Sequence, residues 1–142
     1  MRSRIVKIDW SYPRIYGNVF YLPQINEVGL YCLSVKSNKG KEDLIYIGKT
    51  NHSFYSRLSS HQEWFSLYRG KRLVRLGTIT QPKKYDDELI TDIESALIYE
   101  IKPFENTDKI YGYSCYNVCE IENSGYRGLL PRIIDMRNHG IK

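Results

Sequence analysis

The stretch VGLYCLSVKSNKGKEDLIYIG, residues 28–48, decides how the chain is read. Its two apolar runs, VGLYCLSV (28–35) and LIYIG (44–48), are rich in the aliphatic and aromatic residues that suit strands. Between them SNKGKED is polar and carries a glycine. The chain is therefore expected to turn back and pair the two runs as a hairpin with a long loop.

Downstream, Asn51 or Ser53 is placed to cap a helix running to about Arg69. LVRLGTI (73–79) has strand composition. YDDELITDIESALIYEIK (85–102) is the strongest helix, opened by acidic residues that complement its N-terminal dipole and closed by Pro103. The last forty residues are weakly patterned, with a short final helix expected in GLLPRIIDMRNHG. Strand, strand, helix, strand, helix predicts a small α+β domain rather than a doubly wound one.

With 142 residues, 42% of them hydrophobic, the chain suits one domain with one compact core. It has no apolar run of 18 residues, and MRSRIVKIDW lacks the apolar stretch of a signal peptide, so a soluble cytoplasmic protein with no membrane partner is expected. Three cysteines, Cys32, Cys115 and Cys119, make neither an even disulfide set nor a zinc quartet, and read as buried free thiols. The net charge of +5 is unevenly placed. From Lys36 to Lys84 eleven Lys/Arg stand against three acidic residues, whereas from Tyr85 onward six stand against eleven. A basic middle third points to a polyanion, with nucleic acid the common one. A solvated charged face is the competing reading.

On a helical wheel started at Ile90, Glu94 falls between Ile101 and Ile98, inside the apolar stripe, while Asp92 and Glu88 fall on the opposite, watery side. A carboxylate within an apolar stripe is costly unless it is paired, hydrogen-bonded or metal-bound. In the earlier helix His61 lies among Phe54, Leu58, Trp64, Phe65 and Tyr68, with Arg57 at the margin. Singly, each has an ordinary explanation: a snorkelling arginine and a satisfied core histidine. Together, a cation, an imidazole and a carboxylate facing one space suit phosphate chemistry.

The strand ends then bring a resemblance. Gly29-Leu30-Tyr31 and Tyr46-Ile47-Gly48 end adjacent strands with fourteen residues between the tyrosines. This is similar to the GIY-YIG nuclease family, with Leu30 a mild departure from the middle isoleucine. Gly48-Lys49-Thr50 resembles the family's turn after YIG. Arg57 matches its catalytic arginine, and His61 follows at the four-residue spacing many members use. Glu94 matches the metal-binding glutamate and Asn106 the asparagine that closes the motif set. The match covers Gly29 to Asn106, a motif core flanked by residues 1–28 and 107–142 within one domain.

The resemblance implies a small central three-stranded antiparallel sheet flanked by helices, with the active site on one face of that sheet. It implies a metal-dependent DNA endonuclease in which Glu94 holds Mg2+ or Mn2+. In that scheme Tyr31 is the first choice to align the attacking water, and Arg57 stabilises the phosphoryl charge. Tyr46 and His61 position the phosphate or assist proton transfer, while Asn106 braces the site. Lys49, Arg69, Lys71, Arg72 and Arg75 are the candidate DNA contacts. A stand-alone restriction-type or mobile-element enzyme is the first reading, with residues 1–28 and 107–142 supplying specificity. A structure-specific repair or recombination nuclease, a non-catalytic nucleic-acid-binding module that keeps the fold, and an RNA-cleaving toxin are the alternatives. Cutting both strands needs two sites or two events, which a homodimer would provide.

Overall fold

The computed structural model describes residues 4–50 and 52–140. The hairpin forms as expected from its composition: β3 (Leu30–Lys36) pairs antiparallel with β4 (Glu42–Lys49), and Tyr31 lies opposite Gly48. On its other side β3 pairs antiparallel with β5 (Lys71–Gln81). The expectation of a small three-stranded sheet flanked by helices is overturned at this point. The sheet has seven strands among the described residues, in the order β4-β3-β5-β1-β6-β7, with β2 attached to β5. Four of those strands come from outside the motif core: β1 (Arg4–Trp10), β2 (Arg14–Ile15), β6 (Cys119–Gly125) and β7 (Ile133–Asp135).

The free edge of β5 drives this enlargement. β1 pairs antiparallel with β5 through Ile8, Asp9 and Trp10, and parallel with the whole of β6. The sheet is thus mixed, and both flanking segments belong to its core. Val6, Ile8 and Trp10 alternate inward along β1 as the period of a half-buried strand requires.

Side chains leave the sheet on both faces. Leu30, Cys32, Ile47, Val6, Ile8, Trp10 and Ile121 form one core with helix α4 (Asp87–Ile101). Tyr31, Leu33, Val74 and Leu76 form the other, with Phe54 and Leu58 of α2 (Phe54–Ser60), Phe65 of α3 (Gln62–Phe65), and Tyr16 and Val19 of α1 (Tyr16–Val19). Cys32 and Cys119 are buried free thiols and Cys115 is half-buried. No helix among the described residues is long and apolar enough to cross a membrane.

Three local expectations change. The helix expected to reach about Arg69 is two short pieces broken at His61; Ser60 Oγ donates to the Arg57 carbonyl at 2.6 Å and Ser66 Oγ to that of Glu63 at 2.8 Å, hydroxyls competing for helical carbonyls. Ser53 is its N-cap, accepting from the Ser56 amide at 3.1 Å, and Asn51 lies outside the described residues. The final segment places β7 and a 3-10 turn, Met136–His139, where a short helix was expected. Asp92, placed in water by the wheel, is 1% exposed. It accepts from the amides of Tyr116 and Asn117 and from Asn117 Nδ2, so residues 115–118 cover a face of α4 that a wheel treats as solvent.

Candidate active site

The two halves of the strand motif interlock. Tyr31 is fully buried, and its ring crosses the Cα of Gly48, where any Cβ would overlap the hydroxyl. Glycine at 48 is therefore a requirement of space. At the entry to β3 the Thr50 hydroxyl accepts from the Gly29 amide at 2.9 Å, and the Thr50 amide donates back to the Gly29 carbonyl at 2.9 Å. This clamp fixes the turn after Gly48.

Around Tyr31 the structure gathers Tyr46 from β4, Arg57 from α2 and His61 from the break between α2 and α3. Tyr31 Oη and His61 Nε2 are 2.7 Å apart, and the Tyr46 and His61 rings are 4.8 Å apart. Arg57, exposed on α2, interacts with both phenols by charge and hydrogen bonding. Tyr16 ties this arrangement to the N-terminal segment by donating to the Leu58 carbonyl.

These surroundings set the protonation states. Burial first, and the nearby Tyr46 second, push the Tyr31 hydroxyl well above the ordinary phenol range, with Arg57 opposing. Burial also raises Tyr46, against the Arg57 charge. Burial and then Arg57 hold His61 down to about 4, so it is a neutral imidazole at physiological pH.

Glu94 reaches this cluster by another route than expected. Its helix packs on the opposite face of the sheet from α2, so the site does not lie on one face; it wraps around the edge strand β4. There a cleft of ≈ 200 Å³ is lined by Tyr46, Glu94, Glu105, Asn106, Asp108 and Lys109, among others. Tyr46, and not the wholly buried Tyr31, is the phenol that lines it. Of the two phenols, Tyr46 is thus the one open to the cleft, while Tyr31 lies beneath it.

Asn106 makes a two-point clamp on the outer side of β4. Its Oδ1 accepts from the Ile47 amide at 2.9 Å and its Nδ2 donates to the Ile47 carbonyl at 3.0 Å. This satisfies an edge strand that would otherwise be open and fixes Tyr46 and Gly48 on either side. Both side-chain atoms are committed to backbone, so Asn106 is a brace.

The expected DNA contacts divide. Arg69 and Lys71 are exposed and Lys49 is half-buried. Arg72 is half-buried and donates to the Ser66 carbonyl at 3.3 Å. Arg75 does not qualify. It is 7% exposed, pairs with Glu42 and donates to the Tyr126 carbonyl at 2.9 Å. Burial works to raise the Glu42 pKa, but hydrogen bonds from Arg75 and Ser34 outweigh it and hold the carboxyl below its usual range. Arg75 sits mid-strand on the α4 side of β5, under Gly128, where a phosphate has no access.

Sequence reasoning missed two residues of the site. Trp64 donates its indole N–H to His61 Nδ1 at 3.1 Å; its place three residues after His61, one helical turn on, was the available signal. Lys109 lies 3.2 Å from Glu94 with its backbone in the left-handed region, φ 67°, and nothing in the sequence announced it.

Compared with protein-family models, curated proteins and solved structures, the chain finds no match.

Proposed function

We propose that the protein is a metal-dependent endonuclease of the GIY-YIG type that hydrolyses phosphodiester bonds in DNA. The observation that carries this reading is the meeting of an arginine, two phenols and a neutral imidazole, one of those phenols, Tyr46, lining the cleft that Glu94 also lines. That set can bind and polarise a phosphate, and it is more than a packed core needs.

The metal is the first test of fit. Among the described residues no group of three or more His, Cys, Asp or Glu is placed to hold an ion. Each cleft carboxylate has a partner, Glu105 the Tyr68 hydroxyl, Asp108 the Lys109 amide at 3.1 Å and Glu94 the Lys109 ammonium at 3.2 Å; Glu94 is the one whose place in the sequence matches the family's metal ligand. A single carboxylate fits Mg2+ or Mn2+, hard ions commonly held by one or two carboxylates together with substrate phosphates. The Lys109 ammonium on Glu94 Oε1 would compete with such an ion for this carboxylate. When bound, the ion would supply Lewis-acid charge to phosphoryl oxygens.

The chain's own groups divide the remaining work. Arg57, exposed on α2 beside Tyr46, presents a planar donor fork to phosphate oxygens, best matched as charge builds in the transition state. Tyr46 faces the cleft and orients the attacking water. The oxygen of that water forms the new bond to phosphorus, the leaving sugar oxygen takes the electron pair of the broken bond, and the proton that the water gives up passes through solvent in the cleft to that leaving oxygen. Arg69, Lys71 and Lys49 hold the backbone outside the reacting centre.

Single-turnover cleavage of plasmid with Mg2+, with and without chelator, tests this reading. Glu94→Gln is expected to abolish cleavage while leaving thermal unfolding intact. Wild-type rates in that variant would sink the metal assignment. DNA affinity should fall steeply with salt, and neutralising Arg69 and Lys71 together should lower the salt slope by roughly two.

A further inference from the structure

The third group on the His61 ring decides which way the protons of the cluster point. An indole N–H donates and cannot accept. Trp64 Nε1 lies 3.1 Å from His61 Nδ1, so Nδ1 must offer its lone pair. In the neutral ring the proton therefore sits on Nε2, 2.7 Å from the Tyr31 hydroxyl, and that N–H donates to the phenol oxygen. The Tyr31 proton cannot then point at His61. Arg57, also a donor only, closes a second direction. Among the described residues the remaining neighbour is Tyr46, which shares a hydrogen bond with Tyr31, and with its other directions closed Tyr31 is the donor of that bond. The Tyr46 proton is left for the cleft.

We propose that Trp64 is a positioning residue of this site: by holding His61 as the Nε2–H tautomer, it makes Tyr31 an acceptor and directs the phenol protons outward to the cleft lined by Tyr46 and Glu94. His61 is then a donor that favours negative charge on the phenols, and it is no base toward Tyr31. Four elements supply the groups that face its ring: Tyr31 on β3, Tyr46 on β4, Arg57 on α2 and Trp64 on α3. The catalytic consequence rests on the nuclease reading, whereas the tautomer does not.

The experiment is two-bond proton–nitrogen correlation spectroscopy on protein labelled with nitrogen-15 histidine. In the wild type His61 should show an unprotonated Nδ1 and a protonated Nε2. Trp64→Phe keeps an aromatic ring but removes the N–H. It should populate the Nδ1–H tautomer and raise the His61 pKa from about 4, because Nδ1 is now free to take a proton. Single-turnover cleavage should fall about tenfold or more, with DNA affinity in calcium unchanged. Tyr31→Phe, a second arm that does not touch the indole, should leave the tautomer as it is. A wild-type ring protonated on Nδ1, a Trp64→Phe ring with unchanged tautomer, or a tautomer that flips in Tyr31→Phe would each overturn the proposal. A wild type that shows the tautomer but cuts no DNA would support the assignment and sink the nuclease reading.

Discussion

The molecule holds two phenol–imidazole pairs of the same length, Tyr31 with His61 and Tyr113 with His139, each 2.7 Å. Their chemistry runs in opposite directions. At His61 the other ring nitrogen meets the Trp64 N–H; at His139 it meets the Glu100 carboxylate at 3.1 Å. A neutral His139 carries its proton on Nε2, facing Glu100, and its Nδ1 accepts from Tyr113. Protons there run from the phenol through the ring to an exposed carboxylate. At His61 they run outward to the cleft. Distance alone does not define such a pair; the third group does. Their positions agree with this division. The His139 pair ties the 3-10 turn Met136–His139 to residue 113 and to α4, with Tyr99 packed 4.7 Å from the imidazole. The His61 pair sits beside Arg57 and the cleft.

The sharpest way to break the comparison is to remove the group that makes the first pair chemical. Arg57→Ala should slow single-turnover cleavage by about a hundredfold or more, with calcium-supported DNA binding nearly unchanged and little rescue from Arg57→Lys. Equal losses of rate and affinity would make Arg57 a phosphate anchor and erase the distinction. Next in size, His139→Ala should lower unfolding stability by about 1–3 kcal/mol, because the Tyr113 hydroxyl loses its partner, and should leave the cleavage rate of the folded protein alone. A rate loss without a stability loss would show that the second pair also serves the reaction.

The smallest effect is the dependence of stability on acid. The folded pKa of His61, about 4, lies below the ordinary value of 6.5. Between these values the unfolded chain takes up a proton that the folded chain refuses. Stability contributed by neutral His61 is therefore complete above pH 6.5 and is lost as the pH falls toward 4. Chemical denaturation across this window should show a shallower slope in His61→Gln than in the wild type. Matching slopes would mean that the imidazole is not held neutral.

The hairpin and α4 were legible because they are local. Apolar runs around a polar turn and a capped amphipathic helix specify themselves within twenty residues, and the two tyrosines and the glutamate of the cluster lie on those elements, with the arginine and histidine on the short capped helix between them. What was not legible depends on distant chain. Arg75 reads as a surface cation until Glu42 and the 126–128 turn are placed against it. Asp92 reads as solvated until residues 116 and 117 bring their amides to it. The strand β6, CEIENSG, buries Asn123 where an apolar residue would have completed the alternation; that asparagine accepts from the Trp10 indole at 2.9 Å, a partner 113 positions away. The same limit hid Lys109, whose approach to Glu94 depends on a left-handed turn that no glycine marks.

The placement of β1 sets the timetable by which this chain can mature. Arg4 lies opposite Cys119 and Trp10 opposite Gly125, so β1 leaves the ribosome long before β6 and must wait for it before this ladder is complete. Until then β1 can pair only with β5, and the growing sheet carries an open edge of the kind that recruits other chains. Contacts this far apart in sequence also form slowly. An isolated fragment of residues 29–106, although it would contain every residue of the motif, would keep the β5 edge open permanently. Such a fragment should collect in insoluble material, and supplying the two flanking segments as separate peptides should restore it to solution.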